Sequence, residues 1–223
     1  MCRVLSEPQL AELNRMSYRK RYPTGRLIAG TDPEGDGFAT ILSGVIKLTK
    51  SLPDGRQQIV ALLFPSDFLG RPFSAGSQHT AESATAVELC YFSRNYFEKL
   101  MNEHADFKQL FLERTLDEVD AARDWMLLLG RKNAQEKVAA LILLMLRRML
   151  PGEYPYCTPS DQLQFELPLS RTEMADYLGL RIETVSRQLK RLRTAGVIDT
   201  TRDRTISVRD VRALKRMVEN DRP

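Results

Sequence analysis

Between Ser170 and Ile198 the chain reads SRTEMADYLGLRIETVSRQLKRLRTAGVI, and no other stretch restricts its fold so tightly. Ser170 followed three residues later by Glu173 is a capping-box pattern, in which hydroxyl and carboxylate satisfy each other's orphan backbone donors. Met174, Ala175 and Leu178 then give an inward stripe, and Gly179 supplies the left-handed residue that stops a helix. A second helix is expected from about Ile182 to Thr194, ended by Gly196. At about 100° per residue, Val185, Leu189 and Leu192 share one arc, and Glu183, Ser186, Arg187 and Lys190 share the opposite one. Arg181 sits near the N-cap, where Ser, Thr, Asp or Asn is preferred, so a fraying start is expected there.

Two short helices around a Gly-containing turn describe a helix-turn-helix, whose second helix enters the DNA major groove. The polar arc suits that task. Arg187 carries a forked donor that matches the two acceptors of guanine, Glu183 can accept from the cytosine amino group, and Ser186 can meet a base or a phosphate. Arg181, Lys190, Arg191 and Arg193 suit phosphates, which position a protein without reading sequence. The competing reading is an ordinary amphipathic helix with a solvated face. Cap, turn, spacing and terminal glycine together favour DNA.

Charge agrees with this once it is located. From Leu163 to Pro223 there are 13 Lys and Arg against 9 Asp and Glu, and the preceding residues carry 20 of each. The whole excess of +4 therefore lies around the motif, as an electrostatic footprint on DNA requires. The 223 residues allow two modest domains. No run is long enough to span a membrane and no signal peptide is expected, so a bacterial-type cytoplasm is the expected compartment. Cys2, Cys90 and Cys157 form no disulfide framework. With only His79 and His104, no Gly-rich phosphate loop and no Ser/His/Asp set, the chain is not expected to be an enzyme.

Upstream, a short helix is expected over about Ser6 to Met16, then short strands from about Ser17 to Phe92. Thr40–Leu42, Val45–Thr49, Gln58–Phe64 and Thr85–Phe92 are β-branched or apolar runs. Asp54-Gly55 between two of them is a hairpin signal. Short strands with regular turns point to a double-sheet β-roll. A helix near Asn95 to Glu103 precedes a long one, about Phe107 to Leu129. In it Leu112, Leu116, Val119, Ala122, Met126 and Leu129 recur at spacings of four and three, which is a coiled-coil seam. That seam either joins two copies or lies on the roll; a two-fold operator favours the dimer. Gly130 to Asn133 reads as a hinge, and a helix over about Ala134 to Leu150 opens the next domain. Pro151 to Ser160 reads as a loop. Gln164–Leu167 and Thr205–Val208 read as strands, with Arg202 and Arg204 in a wing turn that faces phosphate, and Asp210 caps a last helix from Val211 to Val218. The fold class is thus α+β, divided into a β-roll (1–106), a dimerisation helix (107–130) and a winged helix-turn-helix (131–223).

This layout resembles the Crp/Fnr regulators. Three stretches carry the resemblance: Phe68-Leu69-Gly70, the run from Asp124 to Asn133, and Ala175–Leu180 followed by Glu183-Thr184-Val185-Ser186-Arg187, which is similar to the FNR and FixK recognition motif. The resemblance implies that Glu183, Ser186 and Arg187, with Thr184 beside them, read TTGAT-type half-sites in a TTGAT–four–ATCAA inverted repeat, with Ile182 over a thymine methyl. It implies RNA polymerase as a partner, touched through a hairpin such as Leu52 to Gly55, and oxygen- or redox-linked activation.

The resemblance also bears on the signal. Cyclic-nucleotide binders carry Gly-Glu and Arg-Ser, but here Gly70 is followed by Arg71, and Gln78-His79 stands where Arg-Ser falls. No cyclic nucleotide is therefore expected. In the FNR branch four cysteines hold an iron–sulfur cluster. Cys90 falls where the β-roll ligand lies and Cys2 near the last N-terminal one, and the other ligands have no counterpart. The chain as written is expected to bind no cofactor. It is either a FixK-type regulator without a cluster or an FNR-type sensor whose longer native form carries the cluster. As a lone thiol, Cys90 also reads as a small buried strand residue.

Overall fold

The computed structural model describes residues 7–28, 38–70, 79–150, 163–201 and 204–219, without the side chains of residues 8–10 and 14. The chain divides into two compact units, Met1–Asp124 and Trp125–Pro223.

In the first unit α1 (Glu7–Arg15) leads into seven strands. These are β1 (Ser17–Tyr22), β2 (Ala39–Ser43), β3 (Ile46–Ser51), β4 (Gln57–Leu63), β5 (Phe68–Leu69), β6 (Thr80–Ser83) and β7 (Val87–Phe92). They form two antiparallel sheets, ordered β1-β7-β2-β5 and β4-β3-β6. Alternation along β7 aims Val87, Leu89 and Tyr91 into one core with Ile41 of β2, Ile46 of β3 and Ala81 of β6, as a strand's period of two requires. The expected roll is present. Two of its strands had no named sequence signal, β1 and β6, and both lie at sheet edges. Residues 18–21 of β1 are exposed, so no apolar alternation marks them. The Asp54-Gly55 turn does join β3 to β4, with Gly55 at φ +85°. Arg56 grips the Asp54 carboxylate at 2.8 Å and holds it below the usual carboxylate range. Gly44 makes the opposite kind of turn, a crowded one: at φ +86° its Cα faces the Ala86 carbonyl and Val87.

Next come α2 (Arg94–Glu103) and α3 (Ala105–Arg131). Phe97 of α2 sits among Phe38, Phe107 and Phe111, with ring centroids 4.7, 5.4 and 5.5 Å away. Phe107 and Phe111 thus seat the start of α3 in the first unit. Farther along, Leu112, Leu116 and Val119 are exposed.

The second unit begins within α3. The expected hinge is shorter than its sequence signal. Gly130 and Arg131 are still helical, and only Lys132 and Asn133 separate α3 from α4 (Ala134–Met149). Asn133 caps α4, accepting from the backbone of Gln135 and Glu136, while Glu136 accepts from its N–H. That reciprocal cap, rather than the glycine, starts the new helix. The loop expected over Pro151 to Ser160 lies outside the described residues. Strand β8 (Leu163–Glu166) and helices α5 (Arg171–Leu178) and α6 (Ile182–Thr194) follow. Strands β9 (Ile198–Thr200) and β10 (Thr205–Val208) and helix α7 (Val211–Glu219) complete the unit. The sheet order is β8-β10-β9. Its core joins Leu141, Ile142 and Met145 of α4 to Met174, Leu178, Val185, Leu189, Ile206 and Leu214, all under a tenth exposed.

Candidate nucleic-acid interface

Each helix of the 170–198 segment starts and stops by local chemistry. Ser170 Oγ accepts from Glu173 N at 3.2 Å while Ser170 N donates to Glu173 Oε2 at 2.7 Å. Gly179 closes α5 at φ +61°. Arg181 opens α6 in extended conformation without a side-chain cap, the weak start that its sequence implies. Met174, Ala175, Tyr177 and Leu178 of α5 are buried, as are Val185, Leu189 and Leu192 of α6.

That packing turns the other arc of α6 outward. Arg181, Ile182, Glu183, Ser186, Arg187, Lys190, Arg191 and Arg193 are exposed, and Thr184 is half-buried. Arg187 Nη2 donates to Thr184 Oγ1 at 3.5 Å, a long and weak hydrogen bond. Among the described residues Arg181, Lys190, Arg191 and Arg193 enter no ion pair. Elsewhere in the unit, Arg209 does pair with Asp199 at 2.7 Å.

Three features had no expectation attached. Gln188 lies in the buried arc at 4% exposure, and its Oε1 has no hydrogen-bond partner among the described residues. Its place beside Leu192 at the edge of the apolar arc was readable, but an amide does not advertise burial. Arg171, first residue of α5, is half-buried; burial, then the charge of Arg204, lowers its pKa. Two cations therefore converge where α5 begins and the wing turns. Arg204 is exposed at φ +61°, with its carbonyl taking the Leu167 N–H at 3.0 Å; Arg202 lies outside the described residues. Third, Trp125 of α3 stacks on Tyr177. Asp210 caps α7 as expected, accepting from Ala213 N at 2.8 Å.

Residues 136–217 match the Crp-like helix-turn-helix domain, and residues 19–104 match the cyclic nucleotide-binding domain. The "Probable transcriptional activator" of Rhizobium leguminosarum bv. viciae is 45% identical over 98% of this chain and 88% of its own length. The chain belongs to the Crp/Fnr family. Within the Crp/Fnr regulators its relatives are of the FnrL and FixK kind. The transcriptional activator protein FnrL of Cereibacter sphaeroides is 40% identical over 94% of this chain and 84% of its own. The structure of FixK2 from Bradyrhizobium japonicum superposes with a TM-score of 0.76 at 31% identity, over 90% of this chain and 96% of that one. The winged helix-turn-helix is therefore the DNA-binding part of a Crp/Fnr transcription regulator.

The seam and ligand residues have mixed surroundings. Ala122 and Met126 are exposed with Leu112, Leu116 and Val119, but Leu129 is half-buried, and the neighbouring Leu127 is exposed at 59%. Leu128 between them is buried, so exposed and buried apolar residues stand side by side at the end of α3. Cys90 is buried on β7, opposite Thr40 and Arg19 in register. Cys2 and Cys157 lie outside the described residues. No group of three His, Cys, Asp or Glu able to hold a metal exists among the described residues. In the roll the Tyr22 and Tyr91 hydroxyls meet at 2.9 Å in buried surroundings. Arg71 and Gln78 fall outside the described residues, and His79 is half-buried. Among the described residues no helix is long and apolar enough to cross a membrane.

Proposed function

We propose that two copies of this chain pair through α3 and activate transcription from TTGAT–four–ATCAA inverted repeats, in oxygen- or redox-linked control. One observation carries the reading: the outward arc of α6 presents Glu183, Ser186 and Arg187 together while its other arc is buried. Base edges are read by such a row at the start of a groove-bound helix. Thr184 and Ile182 flank the row. Arg181, Lys190, Arg191, Arg204 and Arg171 hold phosphates, and Arg171 gains a counter-charge there in place of its repulsion with Arg204.

Leu112, Leu116, Val119, Ala122 and Met126 form the dimer seam, with Leu129 at its end. Apolar side chains left in water along α3 favour a partner helix. The functional division runs as roll (1–106), dimer helix (107–130) and DNA-reading part (131–223). RNA polymerase is the further partner, met at the Leu52 to Gly55 turn, where Leu52 is exposed. Such partners put the protein in the cytoplasm, and it is not an enzyme. It works as a FixK-type regulator, with neither cyclic nucleotide nor a cluster bound.

A mobility-shift titration against the TTGAT–four–ATCAA duplex tests the reading; equal affinity for a scrambled duplex sinks it. Anaerobic iron and sulfide reconstitution tests the cofactor statement, since a broad visible band bleached by air would make Cys90 a ligand after all.

A further inference from the structure

We propose that Trp125 is a positioning residue for DNA recognition: stacked on Tyr177, it holds the helix-turn-helix against the end of α3 and so sets the half-site spacing a dimer accepts. This rests on the two-fold reading above.

Trp125 is the only tryptophan in the chain and the first residue of the DNA-binding unit. Its ring lies 4.3 Å from that of Tyr177, tilted by 19°. Tyr177 belongs to α5 and is 5% exposed. Two flat rings in near-parallel contact restrict tilt, whereas an aliphatic contact lets helices slide and roll. The next residue, Met126, is 72% exposed. Successive side chains on a helix point about 100° apart, so α3 turns one residue to the seam and the one before it to α5. From α5 the constraint passes to α6 through buried Met174, Ala175 and Leu178 against Val185 and Leu189. The ring pair is thus one link between the helix that carries the dimer seam and the recognition helix.

The indole itself supports a role for the ring over a role as filler. Its Nε1 is buried without a hydrogen-bond partner among the described residues. A buried donor left unsatisfied is destabilising, and leucine, which fills the three positions after Met126, brings no such donor.

The test uses the full-length protein and duplexes whose two half-sites stand three, four, five or six base pairs apart. The wild type should prefer one spacing by about tenfold, because the dimer fixes the distance between recognition helices. Trp125→Leu should flatten that preference to within roughly threefold while binding to an isolated half-site changes little. Trp125→Phe, which keeps a ring, should retain it. Tyr177→Leu should match Trp125→Leu, and the double variant should add nothing further. An unaltered spacing preference in Trp125→Leu overturns the inference. A wild type that does not distinguish the repeat from scrambled DNA overturns the two-fold reading instead. Should Trp125→Leu not fold, the lone tryptophan of the wild type decides. Different emission in well-spaced and mis-spaced complexes supports the stack as the spacing element; identical emission overturns it.

Discussion

Lys132 Nζ donates to the main-chain carbonyl of Val218 at 2.7 Å. The two-residue link between α3 and α4 is thereby tied to the last turn of α7, where helix carbonyls lack intrahelical partners and the dipole favours a cation. Lys132→Met keeps the stem and removes the charge. It should cost about 1.5 kcal/mol, read as faster amide exchange at the end of α7 and a lower midpoint for the DNA-binding unit.

Ser170→Ala removes the hydroxyl that receives Glu173 N and should destabilise α5 by about 1 kcal/mol. Urea unfolding should give a lower midpoint at unchanged slope, because no new surface is exposed on unfolding.

Gly44→Ala puts a methyl against the Ala86 carbonyl and 2.7 Å from Val87 Cγ1, at a φ of +86°. Strain and overlap act together, and the neighbour is backbone rather than a side chain that can turn away. The expected loss is about 2–4 kcal/mol, confined to the β-roll unit. Thermal melts followed by near-ultraviolet dichroism of the roll's tyrosines would detect it.

Arg187→Ala should cost about 1–3 kcal/mol in DNA affinity and relax the choice at one guanine, whereas Arg191→Ala should weaken all sequences alike and lower the salt slope by about 1. Binding isotherms at several salt concentrations on cognate and single-substituted duplexes separate the two. Equal behaviour of both variants would contradict the division into base and phosphate contacts.

Burial of Tyr177 pushes its phenol well above the ordinary range. In the unfolded chain that phenol ionises near about pH 10. The folded form keeps it neutral, so its contribution to stability is complete below that pH and is lost progressively above it. Unfolding free energies measured on either side of pH 10 should fall more steeply for the wild type than for Tyr177→Phe, which has no proton to lose.

The helix-turn-helix was the most legible part because its signals are local. Ser170, Glu173, Gly179 and Gly196 act within a few residues of where they stand, and α6 runs from Ile182 to Thr194 as its caps and periodicity imply. The roll was legible as a class of fold through its turns. Its β1 and β6 were not, because edge strands such as Ser17–Tyr22 and Thr80–Ser83 satisfy half their backbone groups in solvent and carry little apolar alternation. Gly130 misled for a related reason: a glycine weakens a helix without ending it when packing on both sides continues.

By itself, then, the sequence determined the helices of the DNA-binding unit and its strands β8 and β10 but not the short β9, which arc of α6 is polar, and which family the residues resemble. Those properties depend on neighbours within a turn or two. Only the tertiary structure decided that Gln188 is buried, that Arg171 meets Arg204, that Lys132 reaches Val218 and that Trp125 lies on Tyr177. The last three join residues 33 to 86 positions apart. No local periodicity encodes such pairs; they exist because helices close on a shared core and bring distant side chains to one place.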